Sequence, residues 1–240
     1  MSSYAAAIRS VPWTVGQALL LFLIPWVVLP FGLIIDAELL SKFIPSLHGF
    51  LNALDSGDPT ASFVLVLTDA IGSIALLGFF LRKHKVNWSA LGLRPFSIAR
   101  ALLYVLILFI SFGVLVVAAD ILVKLIYPAY NPAQAQTNEF TQAHSSISLW
   151  ALVILPPLIE ETVFRGFIFP AFAKRYGVIF GALISSILFA VAHLQLNVSV
   201  YTLVLGLLLC FLYVRLGSII PGIGIHMLNN YIAYMAINQQ

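Results

Sequence analysis

Apolar stretches long enough to cross a bilayer follow one another through the chain, broken by short polar links. A helix rises about 1.5 Å per residue, so a span needs about 20 apolar residues. Such runs fall at 15–35, 63–81, 101–126, 149–172, 177–196, 198–214 and 218–237. They predict an all-α polytopic membrane bundle of about seven transmembrane helices, forming a single domain over residues 1–240. Residues 36–62 read as a loop holding Asp36, Glu38, Asp55 and Asp58 against Lys42, with a short interfacial helix at 39–54. Residues 128–148 form a polar segment. The link between the fifth and sixth runs is so short that those helices are expected to form an antiparallel hairpin. The first run has little positive charge before it and no small-residue cleavage signal after it, which reads as a retained span rather than a signal peptide.

Composition narrows the class. The chain is 61% hydrophobic and 9% charged, a surface that no soluble domain of this size keeps. Its net charge of +3 comes from short basic loops, with no basic stripe interleaved with aromatics, so a nucleic-acid partner is excluded. Arg9, the loop from Arg82 to Arg100, Lys174-Arg175 and Arg215 all fall on one side, opposite the acidic first loop. The positive-inside rule then puts the amino terminus in the cytoplasm of a cell-membrane protein, with the carboxyl terminus outside. Cys210, the single cysteine, has no intrachain partner and reads as a small core residue.

Against this background a few polar side chains stand out, because an ionised group in hydrocarbon costs at least about 2.5–3.5 kcal/mol. The fourth run carries Glu160, Glu161 and Arg165. Residues four apart share a helix face, so Glu161 can pair with Arg165, while Glu160 lies about 100° away and is left for other work. Phe189 and His193 lie in the fifth run, and His226 and Asn230, again four apart, in the seventh. Counting about 1.5 Å per residue from the cytoplasmic ends puts Glu160 and His193 at roughly 22 and 24 Å depth, with His226 shallower at roughly 12–13 Å, a gap that tilt or a late helix start at Pro221-Gly222 would close. Phe189 reads as packing for the neighbouring histidine, Asp69 as a helix–helix contact, and Asp120 and Lys124 as a structural pair on one face. A buried glutamate, two histidines and an asparagine form the side-chain set of a water-activating hydrolase, in a polar cavity inside the bundle.

Those residues fall into three patterns. They are Glu160-Glu161-Thr-Val-Phe-Arg165, Phe189-Ala-Val-Ala-His193 and His226-Met-Leu-Asn-Asn230. In this order they resemble the E-E-x-x-x-R, F-x-x-x-H and H-x-x-x-N motifs of the CPBP intramembrane protease family, which includes type II CAAX prenyl endopeptidases and bacteriocin-processing and immunity-associated proteins. Pro156-Pro157 and Trp88-Ser-Ala-Leu-Gly-Leu-Arg94 add to the likeness, which covers a core of about 88–238. The resemblance implies an intramembrane endopeptidase acting on a membrane-associated peptide or protein: a prenylated C-a-a-X protein, a leader peptide or a membrane segment. It implies Glu160 as general base, His193 as water ligand, and His226 and Asn230 as oxyanion donors, with Glu161, Arg165 and Phe189 supporting them. Glu160, His193 and His226 also form a His₂Glu set of the kind that zinc binds. The metal-free reading is favoured, because Asn230 beside His226 suits oxyanion stabilisation better than a ligand shell, with zinc as the alternative cofactor. A non-catalytic scaffold or bacteriocin-immunity factor of the same fold is the rival function. A transporter is disfavoured, since no internal repeat is evident.

Topology is open to direct measurement. Reporter fusions after Lys85 and Lys174 are expected to score cytoplasmic, and fusions after Asp55 and Ala135 external; the opposite result at Lys85 would invert the bundle.

Overall fold

The computed structural model describes residues 8, 10–44, 46–56, 58–130, 146–193 and 196–237, which are helical with no strand among them. Thr14 opens the first helix with a capping box, its hydroxyl accepting from the Gln17 N–H while the Gln17 side chain accepts from the Thr14 N–H. Helix α1 (Val15–Leu23) passes through a wider π-type turn at Ile24–Val28, where Pro25 removes a donor, into α2 (Leu29–Ser41). Then come α3 (Ser46–Asp55) and α4 (Pro59–Lys83). Asp58 caps α4 by accepting from the Thr60 and Ala61 N–H groups, and Arg82 and Lys83 sit at its carbonyl end, where cations are favoured. A short 3₁₀ turn (Trp88–Leu91) leads to α5 (Ile98–Ile126).

The stretch with the two glutamates is one irregular helix. A turn at Ser146–Ser148 widens to π at Leu149–Ile154, tightens into α6 (Leu155–Glu160), widens again at Glu161–Ile168 and finishes as α7 (Phe169–Tyr176). Gly177, at φ 87°, turns the chain into α8 (Val178–Ala192), followed by α9 (Leu196–Leu216) and α10 (Ile220–Ile237). Helices α8 and α9 pack along each other, as the short link predicts.

This irregular helix is the centre of the bundle. All eight residues of Glu161–Ile168 are buried. Trp13 stacks on Phe167, with centroids 4.4 Å apart, and its indole N–H donates to the Phe167 carbonyl at 2.9 Å. Phe80 of α4 stacks on the same ring, while Phe22 of α1, Trp26 and Phe189 of α8 meet Phe164 edge-on. Two amino-terminal helices on which the motifs place no demand thus close over the motif helix through an aromatic ladder.

Among the described residues, four stretches are long and apolar enough to cross a membrane: Val15–Gly32, Thr60–Lys83, Ile98–Ile126 and Val198–Leu216. Together with the family likeness described below, they make this an integral membrane protein. The seven runs of the sequence thus resolve into these four helices and three others, shorter or more polar. Within the stretch read as a loop at 36–62, the short helix expected at 39–54 is present as α3, starting later at Ser46, and α2 runs further than expected, to Ser41. Asp120 and Lys124 form no ion pair; Asp120 instead accepts from the Tyr130 hydroxyl at 2.7 Å. Tyr130 lies just past the end of α5, and both burial and this bond to a carboxylate push its phenol pKa up from the ordinary value. Arg9 and the greater part of the polar segment, 131–145, lie outside the described residues.

Helix α7 meets α8 with almost no space between backbones. A Cβ on Gly181 would come within 2.5 Å of the Ala173 nitrogen and 2.6 Å of its Cα. Gly181→Ala is therefore expected to force the helices apart and lower stability by about 1–3 kcal/mol, the usual range for overpacking. A thermal-shift assay in detergent measures it, and an unchanged midpoint would show that the crossing is looser.

Candidate active site

The local chemistry of the site begins with two prolines. Pro156 and Pro157 carry no N–H, so the Leu152 carbonyl loses its donors four and five residues onward. The donor three residues onward, Leu155, reaches back to Trp150 instead. The orphaned carbonyl is not left bare. The side-chain amide of Asn230, on α10, donates to it at 2.9 Å. Proline here does more than bend the helix: it frees a main-chain acceptor that a second helix then fills.

One turn further, the two glutamates separate in role and surroundings. Glu161 and Arg165 are each 1% exposed, and the guanidinium Nη1–H donates to Glu161 Oε1 at 2.8 Å. This is the pair that four-residue spacing predicts. The Arg165 guanidinium also lies 4.3 Å from the centroid of the Phe189 ring, a cation–π contact. Gly206 of α9 leaves it room, since a Cβ there would stand 3.1 Å from Nη2. Glu160 is 16% exposed, so of the two carboxylates it is the one that solvent or substrate reaches.

His226 joins both. Its Nδ1 lies 3.1 Å from Glu161 Oε1, where the ring N–H donates to the carboxylate, and its Nε2 lies 3.7 Å from Glu160 Oε2. The second distance is too long for a hydrogen bond but close enough for charges to act on each other. The gap in depth counted between His226 and Glu160 thus closes. A late helix start was one way for it to do so, and α10 starts inside the protein: Ser218 and Ile219 are buried beneath the Trp88–Arg94 loop. There the Ile219 N–H donates to the Gly92 carbonyl at 3.0 Å, and the Ser218 hydroxyl to the Arg94 carbonyl at 2.7 Å. Gly92 permits this at φ 85°, with the Tyr213 ring where a Cβ would otherwise go.

His193 closes α8. Its Nδ1 lies 2.9 Å from the Phe189 carbonyl, which can only accept, so Nδ1 carries the proton and a neutral ring keeps its lone pair on Nε2. Phe189 meets the His193 and His226 rings edge-on, at 5.0 and 5.7 Å, and so stands between the two histidines. Asp69 of α4 lies near enough to Glu160 to feel its charge, and its Oδ1 is buried without a hydrogen-bond partner among the described residues.

Residues 142–232 match the family model described as Type II CAAX prenyl endopeptidase Rce1-like. Over that segment the chain is similar to Rce1-like peptidases. All three motifs lie within it, so the likeness first read from the motifs holds where the site is built. Among curated proteins, the chain is 33% identical over 85 residues to "Putative membrane peptidase YdiL" of Bacillus subtilis, covering 35% of this chain and 35% of that protein. It is 37% identical over 87 residues to "Uncharacterized 24.3 kDa protein" of Escherichia coli, covering 34% of this chain and 40% of that protein. The matches span little more than a third of each relative. No solved structure matches the chain at a significant level.

Among the described residues, no group of three or more His, Cys, Asp and Glu side chains is gathered to hold an ion. Nδ1 of His226 meets Glu161 and Nδ1 of His193 meets the Phe189 carbonyl, which leaves each Nε2 free, as in metal-bound histidines. The hydrogen bonding therefore suits an ion as well as water, but among the described residues Glu160, His193 and His226 as they stand are not gathered around one point. Sequence reasoning missed three participants: the Leu152 carbonyl, Asn229 and Tyr201. Only the first had a signal, in Pro156-Pro157.

The buried pair gives a stability test. Glu161→Gln leaves Arg165 without its countercharge, which costs about 3–5 kcal/mol when one side of a buried pair is removed. The double variant Glu161→Gln with Arg165→Met is expected to recover part of that loss. Melting temperatures of both purified variants check this, and a fully stable single variant would show that the pair is not a brace.

Proposed function

We propose that this protein is an intramembrane endopeptidase that hydrolyses a peptide bond of a membrane-associated substrate, with Glu160 as general base. The observation that carries this reading is the pair of unequal carboxylates on His226. One is sealed and held by Arg165; the other is accessible, with the imidazole Nε2 3.7 Å away. A sealed, paired glutamate suits support, and an accessible one beside an imidazole suits proton transfer.

In this mechanism water lies between Glu160 and the lone pair of His193 Nε2. Glu160 takes a proton as the water oxygen bonds to the scissile carbonyl carbon, and the carbonyl electron pair moves onto oxygen. The second N–H of Asn230, the one not used on Leu152, donates to that oxyanion, with the His226 ring as the second donor. Collapse of the tetrahedral intermediate breaks the C–N bond, and Glu160 returns its proton to the leaving amine. Likeness to the Rce1-like family over 142–232 supports a C-a-a-X-type substrate, prenylated or not. The amino terminus is taken as cytoplasmic, with the site open to that side.

Glu160→Gln keeps size and fold but removes the base, so peptide cleavage is expected to fall by about 10²–10⁴, the usual reach of general acid–base catalysis. Cleavage by the native protein is expected to survive dialysis against a strong chelator. Native-rate cleavage by Glu160→Gln would remove the base assignment. Complete loss on chelation, restored by stoichiometric zinc, would replace the mechanism with a metal-dependent one.

A further inference from the structure

We propose that Tyr201 and Asn229 form a positioning array that fixes the side-chain amide of Asn230, so that its second N–H is held toward the scissile carbonyl. This rests on the oxyanion role given to Asn230 above, and assigns two residues outside the three motifs to the same site.

The array is a chain of hydrogen bonds with one permitted direction. The Leu152 carbonyl can only accept, so Asn230 must turn Nδ2 toward it, at 2.9 Å. That turns Asn230 Oδ1 away, and it accepts from Asn229 Nδ2 at 3.3 Å. Asn229 Oδ1 is then the atom that accepts from the Tyr201 hydroxyl. Reversing either amide would set donor against donor or acceptor against acceptor. A carbonyl that two prolines have orphaned therefore fixes the polarity of every link out to α9.

The far end is also anchored. The Tyr201 ring meets Phe112 of α5 edge-on at 4.8 Å, so the hydroxyl is presented by a packed ring. Asn230 has two amide hydrogens, and Leu152 takes one. With Oδ1 engaged by Asn229, the amide plane has no freedom to swing, and the second hydrogen keeps a fixed direction. An oxyanion donor needs that condition, because its value lies in being aimed before charge develops. Without the Tyr201 hydroxyl, Asn229 can rotate and release Oδ1 of Asn230.

The test is a double-mutant cycle on the full-length protein in detergent, with an internally quenched farnesylated peptide ending in a C-a-a-X sequence as probe. Tyr201→Phe keeps the ring on Phe112, so the melting temperature should stay near native. Its kcat is expected to fall about five- to tenfold, the worth of one hydrogen bond, with KM unchanged. In the Asn230→Ala background the same substitution should change nothing further, since its whole effect passes through Asn230. An equal loss in both backgrounds, an unchanged kcat, or a change in KM alone would overturn the proposal.

A second readout needs no turnover. With [¹⁵N]asparagine labelling, the side-chain amide signals of Asn230 should shift in Tyr201→Phe, and unshifted signals would overturn the array whatever the activity. If Asn230→Ala cleaves at the native rate while those signals do shift, the array stands and the oxyanion role of Asn230 falls. If the native protein does not cleave the probe, the substrate reading fails, and the amide signals still decide the array.

Discussion

Glu161 Oε1 accepts from Arg165 on its own helix and from His226 on α10. This one oxygen governs the site. A carboxylate 1% exposed inside a membrane bundle cannot stay charged without donors, and a lone guanidinium beside it would be no better off. Each group's burial is tolerable only because the others are present. Phe189 completes the arrangement, with its face toward the Arg165 cation and both histidine rings against it. Moving any of these side chains moves the imidazole relative to Glu160. The fixed point is therefore the supporting glutamate, and the accessible one is placed relative to it.

A second constraint comes from the backbone of the same helix. Its two wide-turn stretches and its proline pair leave carbonyls open to other helices, and side chains fill them. Asn230 donates to Leu152, the Ser185 hydroxyl to Phe164 at 3.1 Å, and the Trp13 indole to Phe167. In water a stray carbonyl would find solvent; in hydrocarbon it must find protein. The irregularity thus becomes the means by which α8, α10 and the amino-terminal segment are registered on the motif helix. Wider turns at functional sites are common, and here they have this further use.

The sequence made the chemistry legible because the bilayer makes polar residues expensive. Glu160, Glu161, Arg165, His193 and His226 stood out by being in apolar runs at all, and the Glu161–Arg165 pair followed from spacing alone. Depth was less readable. A count from the chain's apparent turning point depends on where each helix starts, which spacing alone leaves open, and α10 starts under the Gly92 loop. Asp120 and Lys124 had the spacing for a pair, yet Tyr130, beyond the helix end, reached back to take the carboxylate. Asn229 and Tyr201 lie 28 residues apart on different helices, and no local pattern announces an interhelical hydrogen bond. Within 36–62 the short helix was legible from its mixed apolar pattern, whereas the end of the first span was not, since the helix there runs past Asp36 and Glu38.

Among the described residues, the four helices that pass on length and apolarity exclude all three stretches that carry the motifs. That division has a physical origin. A helix facing lipid must be apolar on most of its surface, and α5 shows this in exposed residues such as Ile98, Leu102, Leu106 and Phe109. A helix that carries carboxylates, an arginine or histidines must be shielded from lipid, and shielding relaxes the demand for an unbroken apolar run. It also relaxes the demand for regular backbone, since protein donors are at hand on every side. Hydropathy consequently finds the shell of this protein, and polar interruption finds its interior. The motif helix is thus irregular, carries two carboxylates and an arginine, and is enclosed over Glu161–Ile168, and each of these properties depends on the other two.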